Sequence, residues 1–148
     1  LIYNIRCSYE DYSYVGAFII QLGTFGDIKS TKKCIDIIIK ELKDLKTNQI
    51  SREELLDSIN YITGNFKINE EDSENIASFY SELILHRNNI GKKKLNYTTK
   101  NYISNIKKVS IEDIYNISNE IFKYNKCNLS ILSKQYIKKT EINNLLNF

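Results

Sequence analysis

Several components of common functional sites are missing from this sequence of 148 residues. It contains one histidine and three cysteines, and no two cysteines form a CxxC pair. A zinc knuckle is therefore excluded, and the odd number of cysteines argues against a disulfide framework. We expect Cys7, Cys34 and Cys127 to be free, buried thiols, which favours a reducing intracellular compartment or an organelle matrix.

Common catalytic motifs are missing as well. The sequence has no G-x-S-x-G elbow, no Walker sequence and no G-x-G-x-x-G loop. A hydrolytic metal centre needs several ligands close together, whereas His86 stands alone near the end of a predicted helix. We expect it to be a helix-terminal cation or a plain surface residue. Taken by themselves, these residues predict no catalytic residue, no metal ligand and no cofactor in this chain.

Charge and hydropathy argue against two further classes of partner. Lys and Arg number 21 against 18 Asp and Glu, which gives a net charge of +3. This small and dispersed excess does not resemble a nucleic-acid-binding surface, and the run Lys92–Lys94 is expected to be a solvated loop. Apolar runs such as Ile37–Ile39 are far too short to cross a bilayer, so no membrane span is expected. We expect no signal peptide in these residues.

Alternating side chains near both ends of the sequence predict β-strands. Residues 2–9 and 13–22 are predicted to pair as an antiparallel hairpin, with a turn at Glu10–Asp11. Residues 127–132 are predicted to join the same sheet as a closing strand. Because the chain opens inside a predicted strand, we expect it to be a piece of a longer protein. The alternating side chains are those of Tyr3, Ile5, Cys7, Tyr9, Cys127, Leu129 and Ile131.

Helical periodicity and capping residues predict five helices between these strands. The first two are expected over 28–46 and 52–67, the second beginning with a capping box of Ser51 and Glu54. Asp72 or Ser73, Thr98 and Ser110 are expected to begin the other three. The residues predicted to be buried between the first two helices and the sheet are Ile35, Ile38, Leu42, Ile59, Ile62 and Phe66.

This order of elements predicts an α+β fold. An antiparallel sheet would be covered on one face by a cluster of helices, in the order β-β-α-α-α-α-α-β. Residues 1–133 are expected to form one domain portion. Residues 134–148 are expected to be a polar tail or the start of a linker.

Four segments read together resemble an insulinase-like zinc metallopeptidase, closest to the mitochondrial processing peptidase-like branch. The resemblance covers residues 1–133 and corresponds to the C-terminal portion of a module that lacks the zinc motif. The order and spacing of the segments support it, since no single motif is diagnostic. The segments are Leu1–Ile5 with Tyr9–Ile19, Ile35–Leu42, Ile50–Leu55 with Asn60 and Gly64, and Val109–Ile114.

The resemblance implies a specific role for this chain. In the family, two homologous halves enclose a peptide chamber, and one half has an inverted H-x-x-E-H zinc motif. The other half supplies a Tyr and an Arg that hold the peptide substrate against the zinc. Tyr3, which follows Leu1 and Ile2, matches the position of that Tyr, whereas the paired Arg would lie upstream of Leu1. Arg6 cannot replace it, because three residues along a strand lead to the opposite face.

Three hypotheses follow from this comparison. In the first, the chain is the non-zinc half of a peptidase, with zinc in the parent protein or the partner half and with Tyr3 facing the substrate. By itself it would bind no zinc and cleave nothing. In the second, it is a non-catalytic structural or assembly subunit with the same fold. In the third, it is an α+β interaction module outside the family, and Tyr3 is one more packing aromatic. A fold without pairing between residues 1–22 and 126–132 would favour the third.

Overall fold

The structure is a computed structural model that describes residues 2–12, 15–25, 27–90 and 98–134, together with residues 136, 138 and 140; for residues 86–90 it describes the backbone alone. The elements follow the predicted order as far as the fifth helix. They are β1 (Ile2–Tyr12), β2 (Val15–Thr24), α1 (Ile28–Thr47), α2 (Arg52–Asn69), α3 (Ser73–Ile90), α4 (Thr99–Ile106), α5 (Ile111–Ile121) and a 3-10 turn (Tyr124–Lys126). The α+β class, the hairpin and the five helices are therefore confirmed.

The chain divides into two compact units. The first unit falls within residues 1–10, 17–49 and 112–148, and it contains α1 and most of the hairpin. The second falls within residues 11–16 and 50–111, and it contains α2, α3 and α4. The predicted loop Lys92–Lys94 and most of the predicted tail 134–148 lie outside the described residues.

The two strands lie side by side, as one close approach shows. A Cβ atom at Gly23 would lie 2.6 Å from Oδ1 of Asn4 and 3.9 Å from the Cβ atom of Tyr3. The predicted turn at Glu10–Asp11 is wrong, because β1 continues through Tyr12. The alternation of side chains continues to that tyrosine, which favours strand.

The second strand contacts α1 and the residue that follows α5 in the first unit. The rings of Phe18 and Phe122 meet edge to face, with centroids 5.5 Å apart. At the end of β2, the hydroxyl oxygens of Thr24 and Thr31 lie 3.1 Å apart. Tyr3, Ile5, Cys7 and Tyr9 share one face of β1, because alternate residues of a strand point the same way.

The core of the first unit is formed around α1. Cys34, Ile35 and Ile39 are buried there, together with Phe122 after α5. The buried position predicted for Ile35 is thus confirmed, and Ile38 and Leu42 are partly buried beside it.

The predicted core of α2 needs one correction. Ile59 and Phe66 are partly buried, but Ile62 is 42% exposed and the adjacent Thr63 is buried. One residue turns a helix by about 100°, so α2 points Thr63 inward and Ile62 toward solvent. The Thr63 hydroxyl donates to the Ile59 carbonyl oxygen at 2.8 Å, which satisfies its buried polar group.

The predicted closing strand is wrong. Residues 127–132 form no strand, and the described sheet has two strands in the order β1-β2. A 3-10 turn over Tyr124–Lys126 precedes this segment, and the Cys127 backbone N–H donates to the Tyr124 carbonyl oxygen. Three alternating residues are too short a pattern to define a strand without a partner. Pairing between residues 1–22 and 126–132 is therefore absent among the described residues, as the third hypothesis requires.

The helix starts agree closely with the capping signals. The Ser51 side chain accepts from the Glu54 backbone N–H at 3.1 Å, and the Glu54 carboxylate accepts from the Ser51 N–H at 2.8 Å. The Thr98 hydroxyl accepts from the Asn101 N–H at the start of α4. Each bond satisfies a backbone donor that the helix itself cannot pair, which explains why these boundaries are readable from sequence.

Candidate functional site

Tyr3 lies near the start of β1 and is 78% exposed. Its phenol is therefore open to solvent, and among the described residues nothing packs over most of the ring. This exposure makes the side chain available to a ligand, although exposure alone does not assign a role to it. Arg6 lies on the opposite face, because β1 is a continuous strand through both residues.

An exposed apolar stripe extends from Tyr3 along the same face of β1. Ile5 is 54% exposed, Tyr9 is 67% exposed, and the Cys7 thiol is exposed between them. On a half-buried strand these positions normally form the covered face. Here the four side chains are exposed along β1. A contiguous exposed apolar stripe of this kind typically marks an interaction surface.

The backbone edge of β1 belongs to the same surface. In the described sheet β1 pairs with β2 alone, so its second edge meets no strand of the described residues. Such an edge presents a row of N–H and C=O groups that can pair with another extended chain. The candidate site, which we call the β1 surface, therefore combines this edge with the stripe of Tyr3, Ile5, Cys7 and Tyr9.

The opposite face of β1 is more polar. Asn4, Arg6 and Glu10 alternate with the stripe and are exposed. Arg6 has positive charge, whereas Glu10 and Asp11 make the far end of the strand negative. A ligand strand lying against β1 would meet a positive charge near the centre of the strand and negative charges at its end.

The cysteines and the histidine do not combine into a metal centre. Among the residues that the structure describes, no three His, Cys, Asp or Glu side chains lie close enough to hold a metal ion. None of the three cysteines is in a disulfide, but only Cys34 is buried, so the predicted burial is wrong for Cys7 and only partly right for Cys127. His86 lies in α3, and its side chain is outside the described residues.

Cys127 has a distinct environment in the first unit. Its thiol donates to the Lys123 carbonyl oxygen at 3.2 Å. Partial burial raises the pKa of this thiol, and the positive charge of Lys46 opposes that shift only in part. The thiol is therefore protonated and poorly nucleophilic at neutral pH.

The second unit contains an aromatic cluster beside a small recess. Phe66 of α2 stacks on Tyr102 of α4 at 4.6 Å between centroids, and Phe79 of α3 meets both rings edge to face. The recess beside it has a volume of about 30 Å³ and is lined mainly by Phe66, Phe79, Ile76 and Thr99. That is room for a water molecule or two, so we assign the cluster to packing.

Comparison with family models, curated proteins and solved structures gives no match to this chain. The fold and the site define the class of the protein as α+β, with an exposed strand as its candidate interaction surface. No helix of the described residues is both long enough and apolar enough to cross a membrane.

Sequence reasoning identified Tyr3 but missed the rest of the β1 surface. The period-two pattern shows which side chains share a face. It does not show whether another element covers that face. The available signal is that Tyr3, Ile5 and Tyr9 give one face of the strand several apolar side chains.

Proposed function

We propose that the β1 surface binds an extended polypeptide and that the chain serves as the non-zinc half of an insulinase-like metallopeptidase. The observation that supports the proposal most directly is the exposure of Tyr3 on a regular strand. A strand holds its side chains more rigidly than a loop does, and an oriented phenol needs that rigidity. The ordered segments that resemble the family supply the second line of support.

The chemistry proposed for Tyr3 is hydrogen bonding to the substrate. When zinc-bound hydroxide attacks a peptide carbonyl, the oxygen becomes negatively charged, and a tyrosine hydroxyl can donate a hydrogen bond to it. The zinc would be held by the partner half, and this chain would hold and orient the peptide. Tyr3 is in this sense a substrate-contacting residue.

A peptide-binding measurement tests the proposal. Fluorescein-labelled, extended peptides of mixed sequence are titrated with the chain, and fluorescence anisotropy reports binding. We expect the substitution Tyr3→Phe to weaken binding several-fold, because it removes only the hydroxyl. Tyr61→Phe is the matched control, since Tyr61 is 73% exposed on α2 in the second unit. Equal affinities for both variants would overturn the role of Tyr3.

A reconstitution experiment distinguishes a peptidase subunit from a protein that only binds peptides. The chain is mixed with a zinc-loaded half that contains the H-x-x-E-H motif, and cleavage of the labelled peptides is followed. The peptidase proposal predicts cleavage that depends on this chain and a fall in kcat for Tyr3→Phe. Binding that persists without any cleavage would contradict it.

An α+β interaction module outside the family is the second candidate. Two observations favour it: residues 127–132 do not pair with the hairpin, and the β1 stripe is apolar over its whole length. An apolar stripe suits a lasting protein interface. In that case partner binding would depend on Ile5 and Tyr9 and would be unaffected by Tyr3→Phe.

A further inference from the structure

We propose that the peptide bound by the β1 surface has an acidic residue opposite Arg6, with apolar residues at alternate positions to either side. The inference rests on the proposed function, because it specifies the class of peptide that this surface selects. It uses residues 2–9 of β1 alone, all of which belong to the first unit. Two features of this segment support it, namely its one charged side chain and its exposed apolar stripe.

Arg6 is the one charged side chain within residues 2–9, and it is exposed. Among the described residues, no carboxylate forms an ion pair with its guanidinium. Asn4 and Ser8, which share its face of the strand, are uncharged and leave the positive charge unbalanced there. A guanidinium presents several N–H donors in a fixed geometry that matches a carboxylate. An Asp or Glu side chain is therefore the partner that suits Arg6 best.

Strand pairing would bring a peptide carboxylate within reach of Arg6. When an extended peptide adds to the edge of a sheet, its backbone pairs with the edge strand and its side chains alternate between the two faces. Directly opposed residues share a face and have Cβ atoms about 4.5–5.5 Å apart in an antiparallel pair. Opposite charges at such positions stabilise the pairing, and like charges destabilise it.

The stripe on the other face determines the remaining positions of the peptide. Ile5 and Cys7 flank Arg6 in sequence and point to the opposite face, together with Tyr3 and Tyr9. Ile5 is 54% exposed and Tyr9 is 67% exposed, so apolar peptide side chains opposite them would remove apolar area from water. The preferred pattern is apolar, polar, apolar, acidic, apolar, polar, apolar. It reads the same in both directions and therefore suits either orientation of the peptide.

Fluorescence anisotropy with three labelled peptides tests this pattern. The peptide VTVEVTV has the preferred pattern, VTVKVTV reverses the central charge, and VVTETVV keeps the composition of the first without the alternation. At low ionic strength we expect VTVEVTV to bind about fivefold more tightly than VTVKVTV, because unlike charges replace like charges opposite Arg6. VVTETVV should bind about threefold more weakly than VTVEVTV, since two of its valines move to the polar face.

A charge exchange assigns the preference to Arg6. In Arg6→Glu the order should reverse, so that VTVKVTV binds about fivefold more tightly than VTVEVTV. Arg6→Gln, which keeps a long polar side chain, should bind the two peptides about equally. Arg52→Glu is the matched control, because it changes the net charge by the same amount on α2 of the second unit, and it should retain the original order. An equal change in Arg52→Glu and Arg6→Glu would overturn the inference, because the net charge alone would then select the peptide.

The possible outcomes distinguish this inference from the proposed function. Equal affinity for all three peptides, weakened by Tyr3→Phe, would leave peptide binding in place and overturn the selectivity. No binding of any peptide would overturn the proposed function and the inference with it. Salt at about 1 M should remove most of the difference between VTVEVTV and VTVKVTV, because it screens exposed charges. A difference that persisted unchanged in this salt would contradict an ion pair with Arg6.

Discussion

The side-chain amide of Asn119 on α5 donates to the Lys46 carbonyl oxygen at the end of α1, at 3.2 Å, although 73 residues separate them. Asn119 also donates to the Tyr115 carbonyl oxygen at 3.0 Å. Lys46 is in the last turn of α1, where carbonyl groups have no partner within the helix. One amide therefore links two helices of the first unit and completes the end of α1.

Asn119→Ala should reduce the free energy of unfolding. The loss of a partly buried hydrogen bond costs about 1 kcal/mol. Asn116→Ala is the matched control, because Asn116 is exposed on the same helix and both variants gain the same helix propensity from alanine. Urea unfolding followed by circular dichroism measures both. Equal midpoints for the two variants would show that the link to Lys46 contributes nothing.

Tyr102→Ala should destabilise the second unit. Tyr102 stacks on Phe66 and meets Phe79 edge to face, so its removal loses packing area and two ring contacts, a cost of about 2 kcal/mol. Tyr61→Ala removes an equally large but exposed ring from a helix and should cost less than about 0.5 kcal/mol. Urea midpoints compare them. If Tyr61→Ala cost as much as Tyr102→Ala, the cluster would have no special role.

Cys127 should react with iodoacetamide more slowly in the folded chain than in urea. Its reaction rate should also begin to rise at a higher pH when the chain is folded. Partial burial raises the pKa of its thiol, and only the thiolate reacts. Mass spectrometry of tryptic peptides gives the rate at each pH, with the exposed Cys7 as the internal reference. Superimposed pH profiles for folded and unfolded Cys127 would contradict the environment described for it.

The same shift has a consequence for stability. Because the folded-state pKa of Cys127 is raised, its favourable contribution is complete below the unfolded pKa and is lost as the pH rises through the folded one. We therefore expect the midpoint of thermal unfolding to fall in alkaline solution, above about pH 9. Cys127→Ala should make that fall shallower, whereas Cys7→Ala should leave it unchanged.

The capping box of α2 should make the stability of the protein depend on pH in acidic solution, with the opposite sign: stability should fall as the pH decreases. Hydrogen bonds from Ser51 lower the pKa of the Glu54 carboxyl, so its contribution is present above the unfolded pKa and is lost as the pH falls through the folded one. Glu54→Gln should flatten the decline in thermal stability below about pH 4.5. Glu53→Gln, one residue earlier in the same turn, should leave the decline as it is. Identical profiles for the two variants would contradict the role of the box.

Local signals in this sequence predict local structure well. Ser51 with Glu54, and Thr98 ahead of α4, identify helix starts because the capping hydrogen bonds join residues three apart. The hairpin is predictable for the same reason, since its strands are adjacent in sequence. Only the position of the turn is wrong. It was predicted at Glu10–Asp11, but the alternation of side chains continues through those residues to Tyr12.

Features that depend on distant residues are not predictable in the same way. The alternation of residues 127–132 satisfies a strand pattern, but a strand forms only where another strand pairs with it. The orientation of α2 is a second case, because Ile62 and Thr63 are neighbours and tertiary packing decides which one points inward. The exposure of β1 is a third case. The alternation of Tyr3 and Ile5 shows which side chains share a face, but it does not show whether another element packs over that face.

The space beside Gly23 has a consequence for the variation that the protein can accept. Any side chain at this position begins with a Cβ atom only 2.6 Å from the amide oxygen of Asn4, so a larger residue there requires a smaller one, or a turned side chain, across the strand. Oδ1 is the end of an exposed side chain, and Cγ of Asn4 lies at an ordinary contact distance of 3.7 Å, so rotation of Asn4 is enough to admit a Cβ atom. A library randomised at position 23 alone is expected to recover other residues while Asn4 is retained.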